Sequence, residues 1–330
     1  MEGNPTKLTD DQIAAILKRC FGSGARSLNI QEIGGGTFNE AYLIEVSEKE
    51  KVVLRVAPPP APDIYWDDVG LMRREQTTFP FFASIATLIP KTILADFTHQ
   101  IVGRDYALQT FLEGERWSDI EDELSEEENV DLWQQCGEIV KRIHTTTGEQ
   151  FGYPYPGRQF ANWHDVILDR LSRIAQSLKE YDADLPSIAI ITDLVNSTPS
   201  IFNEVHTPGL LHGDLWTFNL LVTRENGRLL ITGVLDTERA WWGDPLADWI
   251  MFCLSIRNGE EEWQDRIAAF HKGYGMLEKS PAMQFRQEAY NAMDVGSSVV
   301  WGARHGNRAD IERGRQDLER IGSLLLKLLN

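Results

Sequence analysis

Cysteine is scarce in this chain. Three residues in 330, Cys20, Cys136 and Cys253, lie far apart with no C-x-x-C pair. That excludes a disulfide framework and a thiolate zinc site, and leaves buried thiols in a reducing compartment. No apolar run approaches the ~20 residues needed to span a bilayer, so no membrane partner is expected. The first residues, Met1-Glu-Gly-Asn-Pro-Thr-Lys7, lack the apolar stretch of a secretory signal. Both features lead us to expect a cytoplasmic protein. Basic charge is in deficit: 32 Lys and Arg stand against 50 Asp and Glu, a net charge of −18. Nucleic-acid partners need a basic patch, so none is expected. A cleft lined with acids would instead concentrate a cationic small molecule. Internal repeats, low-complexity stretches and the G-x-x-x-x-G-K-[ST] phosphate loop are absent as well.

What remains is an ordinary globular composition, 42% hydrophobic and 25% charged, long enough for two lobes. Thr9 and Gln12 form a capping box that opens a lead-in helix to about Phe21. Segments 28–33, 41–46, 52–56, 89–95 and 106–112 read as five strands, with one helix around Leu71–Pro80. The glycine run Gly34, Gly35, Gly36, ending at Asn39, is a loop whose backbone N–H groups can approach phosphates closely. Arg55 sits mid-strand, on the face opposite Leu54 and Val56. A charge there wants a partner. A second capping box, Ser125 with Glu128, opens a helix ending near His144. Beyond it the chain reads mostly as helices: Trp163–Tyr181, Pro186–Phe202 with a break near Pro199, and four more after Trp249.

The densest chemistry lies between Leu211 and Asp236. A short strand ends at His212-Gly213-Asp214. Asn219-Leu-Leu-Val222 and Leu229–Leu235 read as a hairpin around the turn pair Asn226-Gly227. Such a hairpin sets Asn219 beside Asp236, with Asp214 on the adjoining loop. Mg²⁺ prefers hard oxygens and takes one or two protein groups plus substrate phosphates. Asn219 and Asp236 supply that, and Asp214 is free to orient or deprotonate a hydroxyl. These are the parts of a phosphoryl-transfer site.

Three ordered motifs, His212-Gly213-Asp214…Asn219, Val234-Leu235-Asp236 and Gly243-Asp244-Pro245…Asp248, resemble those of the aminoglycoside phosphotransferase and choline kinase family, small-molecule relatives of the protein kinases. The resemblance implies an α+β, protein-kinase-like two-lobe fold. Residues 1–113 would form a small β-rich nucleotide-binding lobe and residues 114–330 a larger, mostly helical lobe with the catalytic loop and acceptor pocket. It implies an enzyme moving the γ-phosphoryl group of ATP, or of GTP as the alternative donor, with Mg²⁺, to a hydroxyl of a small molecule.

By that likeness Asp214 is catalytic and Asn219 and Asp236 hold the metal. Gly34, Gly35, Gly36, Asn39, Arg55 and Glu75 attend the nucleotide, with Glu75 as the helix partner of Arg55, and Gln109, Phe111 and Leu112 lie on the hinge strand that meets its base. His212, Asp244 and Asp248 support the loop. Glu238 is either a neighbour of the site, touching metal ligands or substrate, or a salt-bridge residue. Ser297, Trp301, Arg304 and His305 lie on a helix expected to face the acceptor, and of these Trp301 and Arg304 are the candidate substrate contacts. An Arg at position 55 departs from the Lys of protein kinases. The chain also lacks H-R-D, D-F-G and A-P-E, so no protein-kinase activation segment is present. The rival reading is a catalytically inactive kinase-fold module that binds a nucleotide or metabolite. The acceptor is expected to be hydroxylated and cationic, and the protein a monomer or homodimer.

Overall fold

The computed structural model describes residues 7–33, 39–59, 65–154, 157–249, 263–276 and 279–329. The glycines Gly34, Gly35 and Gly36 and the helix expected over 250–256 lie outside these residues. From the N-terminus the described elements run α1 (Asp10–Phe21), β1 (Asn29–Glu32), β2 (Glu40–Ser47), β3 (Glu50–Val56), α2 (Leu71–Thr78), β4 (Thr92–Asp96), β5 (Tyr106–Thr110), β6 (Glu115–Arg116) and α3 (Trp117–Ile120). Next come α4 (Glu126–His144), β7 (Phe151–Gly152), β8 (Gln159–Phe160), α5 (Trp163–Glu180), α6 (Pro186–Asn196) and α7 (Pro199–Phe202). The chain continues through β9 (Gly209–Leu211), β10 (Leu220–Glu225), β11 (Arg228–Val234) and β12 (Trp241–Gly243) to α8 (Gln264–Tyr274), α9 (Pro281–Arg304) and α10 (Arg308–Leu328). This is the α+β class expected, with sheet concentrated early and helix late.

The chain divides into two compact units, Met1–Asp119 with Asn219–Arg239, and Ile120–Phe218 with Ala240–Asn330. The first unit holds an antiparallel sheet in the order β1-β2-β3-β5-β4. Residues of even number on β3, Val52, Leu54 and Val56, join Ile44, Tyr106 and Leu108 in a core closed by Ile13, Ile16 and Leu17 of α1. Side chains alternate across a strand, so the odd-numbered Arg55 belongs to the other face.

The hairpin β10–β11 belongs to this first unit, whereas a single cut at 113 would assign it to the helical part. Three contacts hold it there. Leu221 and Val222 pair with Arg116 and Glu115 on β6. The Val234 N–H donates to the Leu88 carbonyl at 2.7 Å. The turn Thr237–Arg239 packs on α2. Its own turn is the Asn226-Gly227 pair, with φ of 51° and 85°, the left-handed values that a tight two-residue hairpin requires.

The second unit is helical, with a small sheet in the order β8-β7-β12-β9. Both capping boxes read from the sequence form, Thr9 with Gln12 and Ser125 with Glu128. The break near Pro199 separates α6 from α7. The strands β7, β8, β9 and β12 are two or three residues long, too short for a period-2 pattern. Among the described residues no helix is long and apolar enough to cross a membrane.

Candidate active site

In the first unit the side chains converge on Arg55. Its Nη1 donates to both Glu75 carboxylate oxygens, at 2.9 and 3.0 Å. Its Nη2 meets Glu238 Oε2 at 2.7 Å and Asp236 Oδ1 at 2.8 Å. The arrangement follows from the fold. β3 is an interior strand, flanked by β2 and β5, so Arg55 cannot reach water along a sheet edge. α2 presents Glu75 to it, and the exit from β11 presents Asp236 and Glu238. Gln109, placed on the hinge strand for its backbone, is buried and donates to Glu75 at 3.4 Å through Nε2. Asn39, the last residue of the glycine loop, donates to Glu238 Oε2 at 2.9 Å through Nδ2. That bond orients its amide and leaves Asn39 Oδ1 buried without a hydrogen-bond partner.

One cation therefore faces three carboxylates. Burial works against the Arg55 charge, but Glu75, Asp236 and Glu238 outweigh it and raise its pKa above the ordinary value. The surplus appears on Glu238. Burial pushes that carboxyl up to about 7, Arg55 opposes the rise, and Asp236 and Glu75 add to it. Asp236 has a left-handed backbone, φ 58°, a conformation Asp tolerates better than most residues. Its side chain is 43% exposed where that of Arg55 is 10%. Asn219 is buried at the head of β10, and its carbonyl accepts from Leu235 N–H at 2.8 Å, one residue before Asp236. The hairpin thus sets Asn219 and Asp236 side by side, as its register implies. Among the described residues no three His, Cys, Asp or Glu form a complete metal cage. Arg239, one residue past Glu238, bonds Asp68 at 2.9 Å, and Asp68 lies on the buried turn Trp66–Asp68.

In the second unit the motif residues build a loop. β9 leads into the fully buried His212, and Gly213 turns the chain with φ 80°. Asp248 fixes that turn. It accepts the His212 N–H and the Gly213 N–H, each at 2.7 Å, and His144 Nε2 at 3.2 Å. Burial pushes Asp248 up, but the hydrogen bond from His144, the neighbouring His144 and His212 imidazoles and the Gly213 N–H outweigh it and hold its pKa below the usual carboxylate value. Asp214 follows, half-buried, its N–H donating to His212 Nδ1 at 3.3 Å. Asp244 is tied to the helices. It accepts from Leu246 N–H at 3.1 Å, Arg286 Nε at 2.9 Å and the Tyr290 hydroxyl at 2.8 Å. Tyr290 in turn accepts from Trp163 Nε1 at 2.6 Å.

The remaining candidates have plainer surroundings. Phe111 and Leu112 follow β5 half-buried, with Lys51 Nζ 5.4 Å from the Phe111 ring centre. Trp301 is 44% exposed and stacks on His305, with ring centres 4.2 Å apart. Arg304 is the last residue of α9, and Ser297 Oγ is buried without a hydrogen-bond partner. Arg286, Tyr290, Tyr274 and the Asp68–Arg239 pair carry no motif. Their roles come from contacts distant in sequence, which no local spacing signals.

Comparison with known proteins adds the following. The phosphotransferase enzyme family matches residues 29–288. A probable ketoamine kinase of Synechocystis is 24% identical over 299 residues, covering 86% of this chain and 88% of that protein. Among solved structures, a thermostable mutant of aminoglycoside phosphotransferase APH(4)-Ia superposes with a TM-score of 0.68. It is 21% identical, and the match covers 94% of this chain and 98% of that one. A putative fructosamine-3-kinase from Thermobifida fusca gives 0.64 at 15% identity, covering 95% and 100%.

Proposed function

The chain belongs to the phosphotransferase enzyme family, and from that premise we propose that it is an ATP- and Mg²⁺-dependent kinase of a hydroxylated small molecule. One observation carries the proposal: in the first unit a single guanidinium serves three carboxylates. Buried acids in surplus are costly unless a cation joins them. Asp236 is the most open of the three, and Asn219 stands beside it. Two hard oxygen donors on adjoining chain ends are what Mg²⁺ takes when phosphates complete its shell. The unpartnered Asn39 Oδ1 is a further acceptor at the same cluster.

Mg²⁺ held by Asn219 and Asp236 would neutralise phosphate charge during transfer. The chain's own groups do the rest. Arg55, held by Glu75, offers a fixed positive fork to the phosphates, a charge it cannot lose. Asp214 accepts the proton of the acceptor hydroxyl as its oxygen bonds to phosphorus and the bond to the departing ADP oxygen breaks. Asp248 holds the backbone before Asp214 in place, which matters because such transfer depends on positioning more than on covalent help.

The relatives are named for aminoglycosides, ketoamines and fructosamine, hydroxylated compounds that carry amines. A net charge of −18 suits a cationic acceptor of that kind. The test is transfer from γ-labelled ATP with Mg²⁺ to a panel of aminoglycosides, ketoamines, amino sugars and amino alcohols. Label should move to one class of compound. Asp214→Ala should lower kcat by at least about 10², the scale of general-base loss, while nucleotide binding stays. Turnover close to wild type in that variant would remove Asp214 from its role.

A further inference from the structure

We propose that Tyr274, at the end of α8, is a positioning residue for the loop His212–Asp214, acting through His144 and Asp248. Its link to catalysis rests on the kinase reading above, but its geometry does not. Tyr274 belongs to none of the sequence motifs. Its hydroxyl lies 3.0 Å from His144 Nδ1, and His144 Nε2 lies 3.2 Å from Asp248 Oδ2. Asp248 then receives the N–H groups of His212 and Gly213. The result is one continuous line of hydrogen bonds from α8, through the last residue of α4, to the backbone that carries Asp214.

Donor chemistry fixes the direction of this line. Asp248, held ionised, can only accept, so His144 Nε2 carries the hydrogen. When the ring is neutral, Nδ1 is then a lone pair, and the Tyr274 hydroxyl, 3.0 Å away, donates to it. The other tautomer would point a lone pair at Asp248 and release its Oδ2. A donating Tyr274 hydroxyl therefore favours the tautomer that holds the loop. The His144 side chain is 4% exposed, so no bulk water substitutes for the phenol.

The packing that delivers Tyr274 is specific. α4 and α8 touch backbone to backbone through two glycines. A Cβ on Gly273 would fall 2.0 Å from the Gln134 carbonyl oxygen, and one on Gly137 would fall 2.3 Å from the Phe270 carbonyl oxygen. Neither position accepts a side chain, so the helices are held close and the end of α8 lies against the end of α4. The Tyr274 ring stacks on Phe270, with planes 7° apart, and meets Trp249 edge-on at 4.8 Å. The ring is thus anchored independently of its hydroxyl.

Tyr274→Phe keeps that anchoring and deletes only the donor. Hydrogen exchange at the His212 and Gly213 amides should then accelerate about tenfold, one hydrogen bond's worth, with α4 amides unchanged. In the transfer assay kcat should fall about tenfold, with KM for ATP and acceptor within about twofold. Adding Tyr274→Phe to His144→Leu should cost nothing further, because the line is already cut. Unchanged exchange at His212 and Gly213, or additive losses in the double variant, would overturn the proposal. Should the wild type transfer no phosphate at all, the kinase reading falls while the exchange measurement still decides the role of Tyr274.

Discussion

Asp236 and Asp248 come from the same run of sequence motifs, and the fold treats them in opposite ways. Asp248 is buried and saturated, with two backbone N–H groups and an imidazole on one carboxylate. Asp236 is half-exposed, left-handed in backbone, and shares one guanidinium with two other acids. A carboxylate given all its donors builds structure. A carboxylate left in surplus is one that a further cation would stabilise. The same residue type is therefore saturated with donors in one unit and left in surplus in the other.

The sharpest way to break this contrast is to remove the one cation. Arg55→Ala takes from the buried Glu75 and Glu238 the guanidinium that bonds both of them, and should cost about 3–5 kcal/mol of stability in urea unfolding at neutral pH. Much of that loss should return in acid as the orphaned carboxyls take up protons. Asp248→Ala strands the His212 and Gly213 donors and should cost about 3 kcal/mol. Because Asp248 lies outside the unit that holds Arg55, Mg²⁺-nucleotide affinity should stay near wild type when measured by calorimetry.

Glu238 gives a pH test with a definite sign. Its ordinary value is 4.5, and burial among acids raises it to about 7. Between those values the native chain holds a proton that the unfolded chain has released. Stability should therefore decline as pH rises across that window, and level off above it. Glu238→Gln should flatten the decline and leave the protein about 2 kcal/mol more stable than wild type at pH 8. An unaltered pH profile in the variant would show that the surplus charge is relieved elsewhere. The smallest stability change belongs to Asp236→Asn, within about 1 kcal/mol of wild type or slightly more stable, as expected where an acid is kept for function.

Features with a local signature were readable in the sequence. The capping boxes rest on residues three apart and the hairpin turn on the pair Asn226-Gly227, while the Arg55–Glu75 pairing came from the likeness to kinases. Asn219 and Asp236 followed from hairpin register. What was not readable depends on contacts between distant segments. Glu238 reaches Arg55 across 183 positions, so the sequence left its role open, and the structure shows it ion-paired with Arg55 in the same cluster. The hairpin itself joins the first unit through Leu88 and β6, which no pattern within 219–239 announces. Tyr274 and Tyr290 look like ordinary helix aromatics until their hydroxyls are seen against His144 and Asp244.

The central claim is that the acid surplus around Arg55 is a Mg²⁺-nucleotide site with Asp236 as ligand. Calorimetric titration with a non-hydrolysable ATP analogue, with and without Mg²⁺, tests it on wild type and Asp236→Asn. The account predicts at least about tenfold tighter binding with Mg²⁺ in the wild type, and no such gain in a variant that is fully folded. Equal affinity with and without the metal in the wild type, or a Mg²⁺ gain that survives Asp236→Asn, would contradict it.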